Sequence, residues 1–255
     1  MGRIPFPREH GAWAVLLASL LLALAHPWAR DWPALVLALL FVLAFAIQEP
    51  LRAMAAGRGR GKGIWLLVYG TLIAVGALYL YLGHEVRVLI PAVALGFLVT
   101  AIDLGARRYH LHRRAVFRLI GVAALTLALP GLLCIVHPER AGYAFLLWAM
   151  VVIYFTSRLT YIRAVIAARR GENGSLATVW AAQAALYAAL VVIVLLRLAP
   201  AWILAAFVPA TLVIFLPLRD TSLRRAGWRE ALLLLWFVAA VLVGYHIGGF
   251  DTLAA

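Results

Sequence analysis

Long apolar runs separated by short basic loops constrain this chain more than any other feature of its sequence. A helix needs about 20 apolar residues to cross a hydrocarbon core of about 30 Å, and a scan for such runs predicts about nine membrane spans. The runs are continuously apolar rather than alternating, which favours helices over a barrel. The predicted spans cover residues 11–28, 32–47, 64–82, 88–103, 116–136, 141–166, 176–198, 201–218 and 230–247.

Composition supports an integral membrane protein, because 66% of the residues are hydrophobic and only 13% are charged. Soluble domains average about 45–50% apolar and about 25% charged residues. The length of 255 residues suits a single polytopic transmembrane domain over residues 1–255. The first apolar run exceeds the hydrophobic region of a signal peptide and lacks a small-residue cleavage site, so we expect it to be retained as a helix.

Positive charges lie almost entirely on one side of the predicted spans. Of the 23 Lys and Arg residues, only Arg30, Arg87, Arg140 and Arg197 fall on the opposite side, where four acidic residues balance them. This asymmetry predicts a cytoplasmic N-terminus, an odd number of spans and an external C-terminus in the bacterial cytoplasmic (inner) membrane. The basic face is expected to attract anionic lipid headgroups. Arginines scattered over short loops form no docking module for nucleic acid, so we expect no such partner.

The first candidate cluster is the motif PREHGAWAVLL, which opens the first span. Arg8, Glu9 and His10 directly precede the apolar run, and Trp13 lies in its first turn. An acid, a base and a cation at the border of a span indicate a functional site. The alternative is an interfacial anchor, in which tryptophan lies at headgroup depth and arginine reaches toward the water.

The second cluster is AIQEPLRAM, at the end of the second span. Pro50 disfavours right-handed helical geometry at Glu49, which predicts that the helix breaks or ends there and releases carbonyl groups. Gln48 and Glu49 are then available at the helix end, with Arg52 as the accompanying cation. The alternative is an ordinary helix terminus with a local ion pair.

The third cluster is YFTSRLTYIRAVIAARR, at the end of the sixth span. Tyr154, Arg158 and Tyr161 form one helical stripe, and Arg163 lies on a neighbouring one. Arg158 lies about two to three turns inside the basic end of its helix. An arginine at that depth needs a carboxylate, a phosphate or water, and Glu49 is the expected partner.

Two further pairs have the spacing of neighbours on a helix. Asp103 and Arg107 are four residues apart, which predicts an intrahelical ion pair. Gln183 and Tyr187 are also four residues apart, inside the seventh span. These polar side chains predict a helix–helix hydrogen bond, with a polar cavity as the alternative.

The EHGAW opening, the Glu-Pro-Leu end of the second span and the Tyr-x-Arg segment after the sixth resemble the YwiC-like family of bacterial integral membrane proteins. This resemblance covers most of the chain and implies no established activity. The chain also resembles, more distantly, the UbiA superfamily of prenyltransferases. That resemblance implies a bundle of nine transmembrane helices with a cytoplasmic N-terminus.

The UbiA resemblance further implies aspartate-rich motifs at the cytoplasmic ends of the second and sixth helices, which hold magnesium and a prenyl diphosphate. QEPLR and RLTYIR stand at those positions without the aspartates, so the motifs do not support magnesium. Arg52, Arg158 and Arg163 offer guanidinium groups that match phosphate oxygens bidentately.

The sequence therefore predicts an all-α, UbiA-like bundle whose cytoplasm-facing polar cavity binds or transfers a prenyl or lipid substrate with an anionic head. Whether the protein is an enzyme is left open, and membrane lipids are its expected partners. The alternatives are a transporter and a non-catalytic lipid-binding module of a respiratory or lipid-synthesis system. The candidate catalytic residues are Glu9, His10 and Glu49. The candidate substrate-binding residues are Arg8, Trp13, Gln48, Arg52, Arg158, Tyr161 and Arg163.

Overall fold

A computed structural model of the chain describes residues 10–26, 31–57, 61–84, 98, 100–103, 105, 109, 115–170, 176–196, 199–215 and 223–247. Within these ranges the regular structure is helical and no strand is present, which confirms the all-α class predicted from the sequence. Two compact units divide the chain. Unit 1 is Met1–Ala144 and unit 2 is Phe145–Ala255.

The helices follow the predicted apolar runs closely. In chain order they are α1 His10–Leu24, α2 Trp32–Ala46, α3 Gln48–Ala55, α4 Gly63–His84, α5 Ala115–Thr126, α6 Ala128–Val136, α7 Ala141–Arg169, α8 Leu176–Leu195, α9 Ile203–Leu212 and α10 Leu223–Ile247. Single 3-10 turns, Pro138–Arg140 and Val213–Phe215, precede α7 and follow α9. Every predicted span except the fourth contains one or two of these helices. The fourth, 88–103, lies mostly outside the described residues.

Four stretches of the described chain are long and apolar enough to cross a membrane, namely Trp32–Ala55, Gly63–His84, Pro138–Ala168 and Arg225–Tyr245. Shorter apolar helices occupy Gly11–Leu24, Leu119–Ile135, Val179–Leu195 and Ile203–Leu212. With several such segments in one chain, this is a polytopic membrane protein.

Proline interrupts two of the spans without ending them. The helix that joins α2 to α3 is interrupted at Ile47, three residues before Pro50, although Ile47 keeps helical dihedral angles of −64° and −20°. Proline has no amide hydrogen for the carbonyl four residues earlier, which is a common cause of such a kink. The predicted departure of Glu49 from helical geometry is therefore wrong. Pro50 falls in the first turn of α3, where a missing amide is tolerated. Leu127, three residues before Pro130, separates α5 from α6 in the same way.

In unit 1, α1 packs against α5 and α6, and α2 packs against α4 and α6. Apolar side chains of α1 and α6, such as Leu22, Leu129 and Leu132, are completely buried there. Beyond the end of α1, Nε2 of the buried His26 lies 3.2 Å from the hydroxyl of Tyr143. This pair ties the end of α1 to the first turn of α7.

In unit 2, α9 packs against α10 and α8. Aromatic rings from three helices meet in its core. The ring of Tyr154 in α7 stacks on Phe237 of α10, with centroids 3.9 Å apart and planes 14° apart. Phe207 of α9 meets both rings edge-on, at centroid distances of 6.0 and 5.4 Å. This cluster fixes how α7, α9 and α10 face one another.

Candidate functional site

A buried polar stripe runs along one face of α7. Tyr154, Arg158 and Tyr161 are spaced four and three residues apart, so their side chains project from the same side of the helix. Their exposed fractions are 1%, 4% and 2%, so this face of α7 is buried within the protein.

Arg158 is the centre of this stripe, and its guanidinium group is held from three directions. Nε donates to Oε2 of Glu230 at 2.9 Å and Nη2 donates to Oε1 at 2.5 Å, which is the bidentate geometry of a charge-assisted pair. Nη1 donates to the carbonyl oxygen of Ala210 at 2.8 Å. The guanidinium carbon also lies 4.6 Å from the ring centroid of Tyr161, within the range of a cation–π contact.

Glu230, rather than the expected Glu49, is the carboxylate that Arg158 contacts. Sequence reasoning placed Glu230 at the border of the last span. The helix in fact begins at Leu223, so Glu230 lies about 10 Å inside it along the axis. The available signal was an acid directly ahead of the apolar run ALLLLWF. Ionisable side chains inside membrane segments pair with one another across helices, and here the pair joins α7 to α10.

The Ala210 carbonyl, near the end of the short helix α9, accepts from Arg158, and a proline exposes a second carbonyl of the same helix. Pro209 has no amide hydrogen for the carbonyl of Ala205, and the indole Nε1 of Trp236 donates to that oxygen at 3.1 Å. Just beyond Ala210, α9 tightens into its 3-10 turn and the regular helical pattern ends. Irregular backbone at membrane depth is tolerated only where protein or a cavity supplies partners. Here α7 and α10 supply them.

Two further polar contacts join α8 to its neighbours. Ser157 Oγ donates to Oε1 of Gln183 at 2.8 Å, and Gln183 Nε2 donates to the Ser157 carbonyl at 3.1 Å. The predicted helix–helix hydrogen bond of Gln183 is thus confirmed. The Tyr187 hydroxyl donates to the Phe207 carbonyl of α9 at 2.7 Å and accepts from Thr211 Oγ1. Polar contacts therefore connect the four helices that the structure describes in unit 2.

Unit 1 holds a second, more exposed polar group at the end of α3. Arg52 Nε donates to Oδ2 of Asp103 at 3.2 Å, and Nη2 donates to Oε1 of Gln48 at 3.1 Å. Glu49 lies instead near Lys62, with 3.6 Å between carboxylate oxygen and Nζ. Because the helix continues past the proline, Glu49 and Arg52 stay three residues apart on α3, and the local ion pair of the alternative interpretation stays a prediction. Gln48 and Arg52, four residues apart, share a face of this helix.

The remaining predicted site residues are placed only in part. The ring of Trp13 meets Phe45 edge-on with centroids 4.8 Å apart. The first turn of α1 therefore contacts α2 about one helical turn before Gln48. Arg163 is exposed on α7. Outside the described residues lie Arg8, Glu9, the side chain of His10, and Arg107, the predicted partner of Asp103.

The magnesium that the UbiA resemblance implies can be tested against the carboxylates. In the described part of the chain, no three or more His, Cys, Asp and Glu side chains gather to hold a metal ion. Glu49 is held near Lys62, and Glu230 is held by Arg158. A magnesium–diphosphate centre needs several hard oxygen ligands together, so these residues do not fit one.

Comparison with known proteins identifies a matching protein family. A protein-family model described as YwiC-like protein matches residues 6–133. The matched stretch includes the EHGAW and QEPLR motifs and ends within α6, so the Arg158–Glu230 pair lies beyond it. No curated protein and no solved structure matches the chain.

Proposed function

We propose that this chain, which belongs to the YwiC-like protein family, binds an amphipathic lipid by its anionic head at the Arg158–Glu230 pair. In this proposal the helices form a UbiA-like bundle in the bacterial cytoplasmic membrane, with the N-terminus and the polar site toward the cytoplasm. The head is a phosphate, and the prenyl or similar tail lies among the apolar helices.

The bidentate contact between Arg158 and Glu230 is the observation that carries this proposal. A guanidinium group presents two parallel N–H donors that fit carboxylate and phosphate oxygens equally. The side chain of Arg158 is 5% exposed and that of Glu230 is 17% exposed, so the carboxylate is the more accessible partner. An incoming phosphate takes the position of this carboxylate, while Ala210 and Tyr161 keep the guanidinium in place.

The cost of burying the pair supports a role beyond stability. Desolvating two charges often cancels their attraction, and apolar side chains of similar volume can be as stable or more so. Ionisable residues within membrane segments typically mark substrate or ion sites. Proton transfer by Glu9, His10 or Glu49 is the catalytic extension of the proposal, and it requires turnover of a prenyl diphosphate with an acceptor.

The binding test uses purified protein in lipid nanodiscs and farnesyl phosphate as the probe. In Arg158→Lys the fork of donors becomes a point charge, and we expect Kd to rise at least about tenfold. In Glu230→Gln the competing carboxylate is gone, and we expect Kd to fall by about tenfold. Arg170→Lys, at an exposed arginine just after α7, is the matched control and should keep the wild-type Kd. Equal Kd values for wild type, Arg158→Lys and Glu230→Gln contradict the proposal.

One observation favours a transporter as the second candidate. Discontinuous helices whose backbone carbonyls face a polar site are typical of secondary transporters, and α9 is short, contains Pro209 and gives its carbonyls to neighbouring side chains. Liposome flux of farnesyl phosphate that is abolished by Arg158→Ala would favour transport. Binding without flux would favour the lipid-binding module.

A further inference from the structure

The buried hydroxyl of Tyr154 takes no part in the contacts that hold Arg158. Its side chain is 1% exposed, and its hydroxyl oxygen has no hydrogen-bond partner among the described residues. Burial of a hydroxyl without a partner is unfavourable, and most buried polar atoms in proteins have one. An exception beside a candidate binding site points to a ligand.

The Tyr154 hydroxyl lies within electrostatic range of Arg158, Glu230 and Tyr187. It precedes Arg158 by four residues, so the phenol and the guanidinium project from the same face of α7. Tyr187 differs from it, because its own hydroxyl donates to the Phe207 carbonyl at 2.7 Å. The two tyrosines therefore have distinct roles, and only the Tyr154 hydroxyl is available to a ligand.

The ring of Tyr154 holds its hydroxyl in one position. It stacks on Phe237 at 3.9 Å and meets the edges of Phe155 and Phe207 at centroid distances of 5.4 and 6.0 Å. A ring enclosed on these sides cannot swing away without disturbing the aromatic cluster of unit 2. The donor is thus preorganised, which lowers the entropic cost of binding.

The number of oxygens on the bound head decides what Tyr154 can select. A carboxylate has two oxygens, and Arg158 takes both from Glu230. A phosphate monoester has a third non-bridging oxygen that the guanidinium fork leaves uncontacted. We infer that the Tyr154 hydroxyl donates to this third oxygen and thereby selects a phosphate head over a carboxylate head. The inference rests on the proposed function.

The test compares two probes that share a tail, farnesyl phosphate and farnesoic acid, in the nanodisc assay. Wild type should prefer the phosphate. Tyr154→Phe keeps the stacked ring and removes one oxygen, so Kd for the phosphate should rise about tenfold while Kd for the carboxylate stays constant. The matched control is Tyr69→Phe in α4 of unit 1. This tyrosine is also buried, and its hydroxyl too has no hydrogen-bond partner within the described residues, so both Kd values should be unchanged.

The outcomes separate this inference from the proposed function. If Tyr154→Phe binds the phosphate as wild type does while Arg158→Lys weakens both probes, the role of Tyr154 is refuted and the proposed function stands. If Arg158→Lys changes neither Kd, the proposed function is refuted, and the inference that rests on it is refuted too. Equal affinity of wild type for the two probes also refutes the inference, and this measurement needs no variant. A loss of affinity for both probes in Tyr154→Phe assigns the residue to the tail rather than the head.

Discussion

Replacing Arg158 and Glu230 together with methionine should destabilise the protein much less than replacing either one alone. The two side chains form one buried unit, with exposed fractions of 5% and 17%. A single substitution leaves the other charge buried without its counter-charge, whereas the double substitution removes both charges and keeps side chains of comparable length. The difference between these cases measures the contact directly.

The structure sets the expected magnitudes. Glu230→Met leaves the buried guanidinium with only the Ala210 carbonyl and the Tyr161 ring, which should cost about 3–5 kcal/mol of unfolding free energy. Arg158→Met leaves the Glu230 carboxylate unpaired and should cost a similar amount, about 3–5 kcal/mol. In the double variant the main loss is the donor to Ala210, at about 1–3 kcal/mol. The coupling free energy between the two sites is therefore expected to be about 3 kcal/mol or more.

The assay is unfolding in mixed micelles with increasing SDS, followed by tryptophan fluorescence. The chain has nine tryptophans, and Trp236 donates to the Ala205 carbonyl of α9, the helix whose Ala210 carbonyl accepts from Arg158. Arg163→Met, at an exposed arginine of α7, is the control and should change the unfolding free energy by less than about 0.5 kcal/mol. Additive costs in the double variant would show that the two side chains do not contact each other in the folded protein, and would refute the reasoning.

Two stability predictions concern α10 and α9. A Cβ at Gly244 would overlap the indole of Trp202, whereas a Cβ at Gly227 in the same helix meets nothing within 4 Å. In SDS unfolding, Gly244→Ala should cost about 1–3 kcal/mol and Gly227→Ala should be neutral or slightly stabilising; equal effects would contradict the packing. Trp236→Phe should cost about 1 kcal/mol, and this cost should disappear in Pro209→Ala, whose amide can serve the same carbonyl. An undiminished cost in that background would argue against the role assigned to the indole.

Helix positions were predictable because they depend on local composition. The third predicted span, 64–82, agrees with α4 at Gly63–His84, since a continuous apolar run of this length has few other stable structures. The hydrogen bond of Gln183 was predictable for a related reason. A polar amide inside an apolar helix must find a partner, and few partners exist there.

Pairing between helices was much harder to predict. Arg158 and Glu230 are 72 residues apart, and nothing in one sequence distinguishes Glu230 from Glu49 as the partner. At Pro50 a local preference pointed the wrong way, because the chain becomes helical again directly after Ile47 and Glu49 keeps helical geometry in α3. That the Tyr154 hydroxyl lacks a hydrogen-bond partner within the described residues could not be predicted either. It depends on which neighbouring polar groups already have partners.

The short helix α9, which contains Pro209, has a consequence for how the protein enters its membrane. Its ten residues extend about 15 Å, half of a hydrocarbon core of about 30 Å. Carbonyls at Ala205, Phe207 and Ala210 accept from side chains of α10, α8 and α7. Released alone into lipid, this segment would lose the donors to Ala205 and Ala210, whereas Phe207 would keep the hydroxyl of Thr211 from the same helix. Its partner α10 is synthesised only afterwards, so we expect α9 to enter the lipid together with α10. Biogenesis of unit 2 is then a concerted event rather than a sequence of independent insertions.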